Sequence, residues 1–316
     1  MMKRLLVLAA LAFTACDFLP GGGGGTGGGS GGGGEASFGK GFIYVRKDDK
    51  NVYAADERDY STSIKLTTSG GARHPSLSAD GRRVVFVRAS GSDTEISTVS
   101  VAGGMVSTVL VASTTATARN LRSPVYTPDG QRIVFAYDEG SSSSIGVVNA
   151  DGSGFMKLAG GGALAYSGIS MYPDGSGVLA AAGSSTSQLT QLEKISLLNG
   201  SAMNVTSTLG PDAMGIVTRA VVSPDGRRAA FDGRLSTGSA RIFVIDLMSK
   251  AIHQLTDYPG EPGANDSSPC WQGADKVCFS SDSGGNDQVY ALPASGMMTS
   301  GGLQVAGASE PWYGPN

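Results

Sequence analysis

At 316 residues the chain has room for one large β domain or two ordinary ones. Its formal net charge of -3, with no basic stretch, argues against a nucleic-acid partner. Charged residues are only 16%, and 48 Gly with 13 Pro point to short strands and many turns rather than helices.

Residues 1–15 read as an export signal. Lys3 and Arg4 precede the apolar run 5–13, which is too short to span a bilayer permanently. Phe13-Thr14-Ala15-Cys16 resembles a bacterial lipobox, with Phe13 where Leu is usual. That resemblance implies Cys16 as the lipidated first residue of the exported chain. The alternative is an ordinary cleaved signal with an incidental cysteine. Acyl chains, at about 0.8 kcal/mol per buried methylene, would hold such a protein on a membrane almost permanently. Residues 16–38 then form a tether, in which 21–34 are all Gly except Thr26 and Ser30. Such a tract stays a flexible coil with a mean reach of about 20 Å. The pattern Gly28-Gly29-Ser30-Gly31-Gly32 lies between no strand and helix, so it carries no nucleophile chemistry.

From 39 to 316 the chain repeats. Residues 74–87, 123–136, 169–180, 219–231 and 268–279 align as an extended stretch, a turn and an apolar triplet. Thr127-Pro128-Asp129-Gly130 and Ser223-Pro224-Asp225-Gly226 show the turn at its clearest. Ser or Thr first, Pro second, Asp third and Gly fourth suit a type I turn, and Gly supplies the left-handed exit into a second strand. The equivalent positions Phe86, Phe135, Ala180, Phe231 and Phe279 lie 49, 45, 51 and 48 residues apart, the size of a four-stranded propeller blade. The repeated aspartates Asp80, Asp129, Asp174 and Asp225 sit whole blades apart, so they serve turns rather than one calcium ion.

The two ends complement each other. Phe42-Ile43-Tyr44-Val45 resembles a second strand with no first strand before it, and Glu310-Pro311-Trp312-Tyr313 a first strand with no second after it. The expectation is all-β: a six-bladed β-propeller of four-stranded blades, its ring closed by the C-terminal strand joining the first blade.

The Pro-x-x-x-Pro-Asp-Gly repeats resemble those of the TolB-type propeller. So do Leu255-Thr256-Asp257 leading to Ser268-Pro269-Cys270-Trp271, and the run Phe279-Ser280-Ser281-Asp282 through Val289-Tyr290. The resemblance covers 39–316. TolB itself carries an α/β domain before its propeller; here the glycine tether takes that place. The repeat recurs in peptidases, lyases and binding proteins, so it implies fold far more than activity.

The residues preceding each first strand are expected to line one mouth of the central channel. Arg73, His74, Arg122, Arg219 and Glu310, with Asp266 nearby, are the candidate binding residues there. Solvated rim side chains are the alternative reading. No catalytic set emerges: the two histidines, His74 and His253, match no paired-histidine zinc pattern, and no nucleophile elbow exists. No metal and no cofactor are expected. Trp271, Trp312 and Tyr126 occupy equivalent first-strand positions and read as packing between blades. Cys270 and Cys278 flank Gly273-Ala274-Asp275, a turn that sets them opposite one another within disulfide range; a pair of buried thiols is the alternative. These features favour a monomeric, membrane-anchored, non-catalytic scaffold of the bacterial envelope, facing the periplasm and binding an envelope protein. The alternative is a channel-site enzyme or a sensor of carbohydrate or peptide.

Overall fold

Each Asp-Gly turn of the first four repeats, with Ala79 or Pro before it, closes a four-residue turn in the computed structural model, which describes residues 37–206, 208–210, 212–257, 263–296 and 302–316. Gly81 N donates to Ser78 O at 2.9 Å, and Gly130 N to Thr127 O at 2.8 Å. Gly175 and Gly226 do the same toward Tyr172 and Ser223. The four glycines have φ of +67° to +72°, which an L side chain adopts only under strain. Asp80 Oδ1 accepts from Ser78 Oγ at 2.6 Å and from Arg82 N at 3.1 Å, and Asp129 and Asp225 repeat the pattern. The aspartates therefore serve the turns.

Hydroxyl and amide donors hold the Asp80 and Asp129 carboxyls below their usual range. A depressed carboxylate contributes stability above the unfolded pKa of about 3.9 and loses it as pH falls through the lower folded value. Denaturant midpoints should stay level from pH 7 to about 5 and fall toward about pH 3. A midpoint unchanged across that range would remove the turn carboxylates as a source of stability.

Strands β1 (Gly41–Arg46), β2 (Val52–Asp56) and β3 (Ile64–Lys65) open the fold. One antiparallel sheet follows as β4 (Arg73–Leu77), β5 (Arg83–Ser90), β6 (Asp93–Ser100) and β7 (Ser107–Val111). The next is β8 (Ala118–Tyr126), β9 (Arg132–Glu139), β10 (Ser142–Asn149) and β11 (Met156–Gly160). Two more groups are β12 (Ala165–Met171), β13 (Gly177–Ser185), β14 (Gln188–Ser196), β15 (Ala202–Thr206), then β16 (Ala213–Val222), β17 (Arg228–Leu235), β18 (Ala240–Asp246), β19 (Ile252–Gln254). Last come β20 (Asp266–Gln272), β21 (Lys276–Ser281), β22 (Gln288–Pro293), β23 (Gly302–Ala306) and the C-terminal β24 (Ala308–Gly314). These are the four-stranded blades of a β-propeller.

Strand β24 pairs antiparallel with β1, setting Trp312 opposite Ile43 and Tyr313 opposite Phe42, so the first sheet runs β24-β1-β2-β3. In one place the sheets are not separate. Leu189 of β14 pairs with Ile216 of β16, which fuses two groups into a single eight-stranded sheet. Gly215 permits the approach: a Cβ there would stand 3.2 Å from Leu189 O.

The core lies between sheets. The second strands are buried on both faces, as at Val84, Val85, Phe86 and Val87 or at Ala229, Ala230 and Phe231. Val85, Tyr126, Ile133 and Phe135 pack together across β5, β8 and β9. Phe38, placed by the sequence at the end of the tether, packs against the cluster around Ile43 and Phe86. Cys16 and the glycine tract lie outside the described residues. Among the described residues no helix is long and apolar enough to cross a membrane.

Candidate functional site

The first strands β4, β8, β12, β16, β20 and β24 stand side by side, and two cavities lie along the axis they surround. At the end where these strands begin, the ladder slips in every one of them. The slip places His74, Ser123, Gly168, Ser268 and Glu310 at φ of +50° to +57°. Each non-glycine residue held so costs about 1–3 kcal/mol, supplied by surrounding structure. Gly168 has a further reason: a Cβ would sit 2.6 Å from both Thr218 O and Arg219 Cα. Gly168→Ala should therefore cost roughly 2–3 kcal/mol in urea unfolding. A loss under about 0.5 kcal/mol, the ordinary surface value, would refute that close approach.

The structure sorts the six predicted mouth residues into different places. His74, Arg219 and Glu310 converge on the axis. The Glu310 carboxylate accepts the His74 backbone amide, and His74 Nδ1 accepts from Ser123 N at 3.4 Å. Burial pushes the His74 imidazole down, Glu310 pulls it up, and Arg73, Arg219 and Arg122 push it down further. Arg219 is buried rather than on the rim. Its Nε donates to Pro269 O at 3.1 Å and its Nη2 to Ser268 O at 3.1 Å and to Pro311 O. The guanidinium also lies over the Trp312 ring, 5.4 Å from its centroid.

Arg73, Arg122 and Asp266 do not join them. Arg73 is exposed. Arg122 is a latch between β8 and β12, donating to Tyr166 O at 2.9 Å and Ser143 Oγ at 2.6 Å and pairing with Asp138 at 2.8 Å. Asp266 is buried at the start of β20, opposite Ser281, and burial pushes its carboxyl up. Neither of its oxygens completes a hydrogen bond among the described residues.

Sequence reasoning missed Asp232. It is fully buried and accepts Thr218 N at 2.8 Å, Arg219 N at 3.2 Å and Ser268 N at 2.8 Å, tying β17 to β16 and β20. A signal was present: an acid stands where the aligned strands carry Val87, Ala136, Ala181 and Ser280. The void left among these groups is about 20 Å³, room for one water. His74, Glu310, Arg219 and Asp232 each bond backbone groups here, so this end of the axis holds strands together.

The other end, at the Pro-Asp-Gly turns, carries the larger axial cavity, about 300 Å³. Tyr126, Tyr172, Trp271, Trp312 and Tyr313 line it, with Pro128, Pro173, Pro224 and Pro315 at its mouth. Trp312 borders both cavities and separates them. The aromatics also pack between sheets: Trp271 is 2% exposed and its Nε1 donates to Val221 O at 2.8 Å. Three cations cover the rings from outside, Arg83 over Tyr126, Lys194 over Tyr172 and Arg228 over Trp271, at 5.3, 4.3 and 5.3 Å. Each contact is worth about 0.5–1 kcal/mol where exposed. No sequence motif marks this cavity; it arises because equivalent aromatic positions converge once the blades are arranged.

Cys270 and Cys278 are direct cross-strand partners, both buried and both free thiols. Burial pushes the Cys278 thiol up, and its neighbour Cys270 adds to the shift. His253 is exposed, with Nε2 3.2 Å from Ala294 O. Among the described residues no three His, Cys, Asp or Glu side chains are grouped to hold a metal.

No protein-family model matches the chain, and no curated protein matches its sequence. Solved structures do match. TolB from Acinetobacter baumannii superposes with a TM-score of 0.66 at 15% identity, over 87% of this chain and 66% of that one. A chain of a nidogen/laminin complex gives 0.62 at 11%, over 87% and 98%. An oligogalacturonate lyase in complex with manganese gives 0.53 at 14%, over 80% and 73%. These structures range from TolB to a lyase and a nidogen/laminin complex, so what the likeness carries is architecture: the chain has the TolB-like β-propeller fold.

Proposed function

We propose that this protein is a non-catalytic binding module of a bacterial envelope, tethered to a membrane through Cys16, which docks a protein partner on its turn-side face. The apolar cavity of about 300 Å³ at the centre of that face carries the reading. Met105, Leu198 and Met248, all at least 89% exposed, stand in third-to-fourth-strand turns. Those turns bond back to the Pro-Asp-Gly hairpins through Val101 N to Arg82 O, Leu197 N to Ser176 O and Leu247 N to Arg227 O, which puts them on the same face. Exposed apolar groups around a central pocket suit a macromolecular surface. At the opposite mouth His74, Glu310 and Arg219 are engaged with backbone groups, which argues against turnover there.

The architecture we infer has six blades in a closed ring. Counting the fused eight-stranded sheet as two blades supports the number, and the packing of β24 against both β20 and β4 supports closure. A small apolar ligand is the second reading, since the cavity volume lies at the lower end of the usual range for ligand pockets.

The test is in-cell cross-linking of the tagged full-length protein. Ala79→Tyr should abolish capture, because exposed Ala79 stands at the cavity mouth in a turn position open to any side chain. Cys16→Ala should move the protein to the soluble fraction. Capture unaffected by Ala79→Tyr would reject the turn-side face. No capture at all, with membrane attachment intact, would favour the small ligand.

A further inference from the structure

We propose that Cys270 and Cys278 are a redox-active pair, which closes by thiol–disulfide exchange into a cross-strand disulfide and clasps the last blade where it packs against the β24–β1 sheet. This inference stands apart from the docking reading. Its first ground is a comparison within the molecule. Cys270 and Cys278 face each other across β20 and β21. The same ladder position pairs Ser76 with Val85, Val125 with Val134, Ser170 with Leu179 and Val221 with Ala230. All of those residues are buried. The slot therefore packs with serine, valine, leucine or alanine, and burial alone does not require sulfur. Yet of the three cysteines in the chain, two stand here, directly opposed.

Geometry is the second ground. Directly opposed residues of an antiparallel ladder hold their Cβ atoms about 4.5–5.5 Å apart, and a disulfide needs about 3.5–4.5 Å. Closing the bond thus takes a movement of about 1 Å. Strand β20 can supply it. Pro269 brings no N–H to the ladder, and the register slips between Ser267 and Cys270, so fewer ladder bonds pin the strand just before Cys270. The thiols already interact: after burial itself, Cys270 is the neighbour that most raises the Cys278 thiol. Both lie in one cluster with Phe42 and Tyr44 of β1 and with Ala308 and Tyr313 of β24. A bond here fastens the blade at the point where the C-terminal strand docks.

Access sets the order of events. Cys270 borders the turn-side cavity, and Cys278 lies behind it. The Cys270 thiolate attacks one sulfur of an incoming small organic disulfide. That S–S bond breaks, and one reagent thiolate leaves with its electron pair and takes up the proton that Cys270 gave up. The Cys278 thiolate then attacks Sγ of Cys270, forms the protein disulfide and expels the second reagent thiol. Two protein thiols are oxidised, and one reagent disulfide is reduced to two thiols.

The test uses the full-length protein, reduced and then titrated with bis(2-hydroxyethyl) disulfide under native conditions, its free thiols alkylated before digestion with trypsin. Lys276 lies between the two cysteines, so cleavage there leaves them on separate peptides, 251–276 and 277–316. Mass spectrometry should find these two joined, and dithiothreitol should separate them. The oxidised protein should melt about 5 °C higher than the reduced one. Cys278→Ala should keep the fold, because Ala230 fills the same slot in another blade. That variant should accumulate the reagent's mixed disulfide on Cys270 and lose the rise in melting temperature. Both cysteines found alkylated at every reagent concentration, or joined only after unfolding in urea, overturns the inference.

Discussion

Arg219→Ala will destabilise the protein by about 3–5 kcal/mol, the usual cost of breaking a buried charged network. The side chain spans the axis, and its loss leaves the carbonyls of Ser268, Pro269 and Pro311 without their donor. It also uncovers the Trp312 ring and leaves buried Asp232 and nearby Glu310 without the cation that balances them. Arg73→Ala, at the start of first strand β4 but exposed, should stay within about 0.5 kcal/mol of the parent. Urea unfolding of the two variants side by side measures the contrast. Equal, small effects would mean that Arg219 is a rim residue after all.

Ending the chain at Gly307 should be more severe. It removes β24 and so exposes Phe42, Ile43 and Tyr44 on the edge of β1, all of which are essentially inaccessible in the intact fold. It also removes Trp312, which divides the axial cavities, and Pro311, whose carbonyl anchors Arg219. The expected product lacks a cooperative unfolding transition and self-associates through the freed strand edge. Circular dichroism and light scattering on the purified fragment would show this. A fragment that melts cooperatively as a monomer would show that the β24–β1 pairing is dispensable.

The hairpins were legible in the sequence because their chemistry is local. Pro fixes a dihedral, Asp caps the amide two residues on, Gly takes the positive φ, and three apolar residues in a row leave nowhere to go but inside. The joining of the C-terminal strand to the first sheet was legible for a different reason: each terminus held half of a repeat. The site was read less well. Arg219 sits in the aligned slot of His74, Ser123, Gly168, Ser268 and Glu310, none of them exposed, and the sequence reading set that whole slot on a solvated rim. Blade equivalence breaks there as well, since Arg219 is absent from the positive-φ set that His74, Ser123, Gly168, Ser268 and Glu310 share. The larger axial cavity escaped because no single segment encodes it; Tyr126, Tyr172, Trp271 and Trp312 belong to four different repeats. Asp232 looked like one more residue after an apolar triplet, yet it collects amides from two neighbouring strands.

The union of β24 with β1 joins residues some 270 positions apart in the chain. Loop-closure entropy grows only with the logarithm of length, so this union costs about 1.5 kcal/mol more than closing one blade-sized loop of about 50 residues. The penalty falls on time instead. Until the last strand has emerged from the ribosome, the first sheet has an open edge and no native partner for it. The completed fold is therefore a late event by construction.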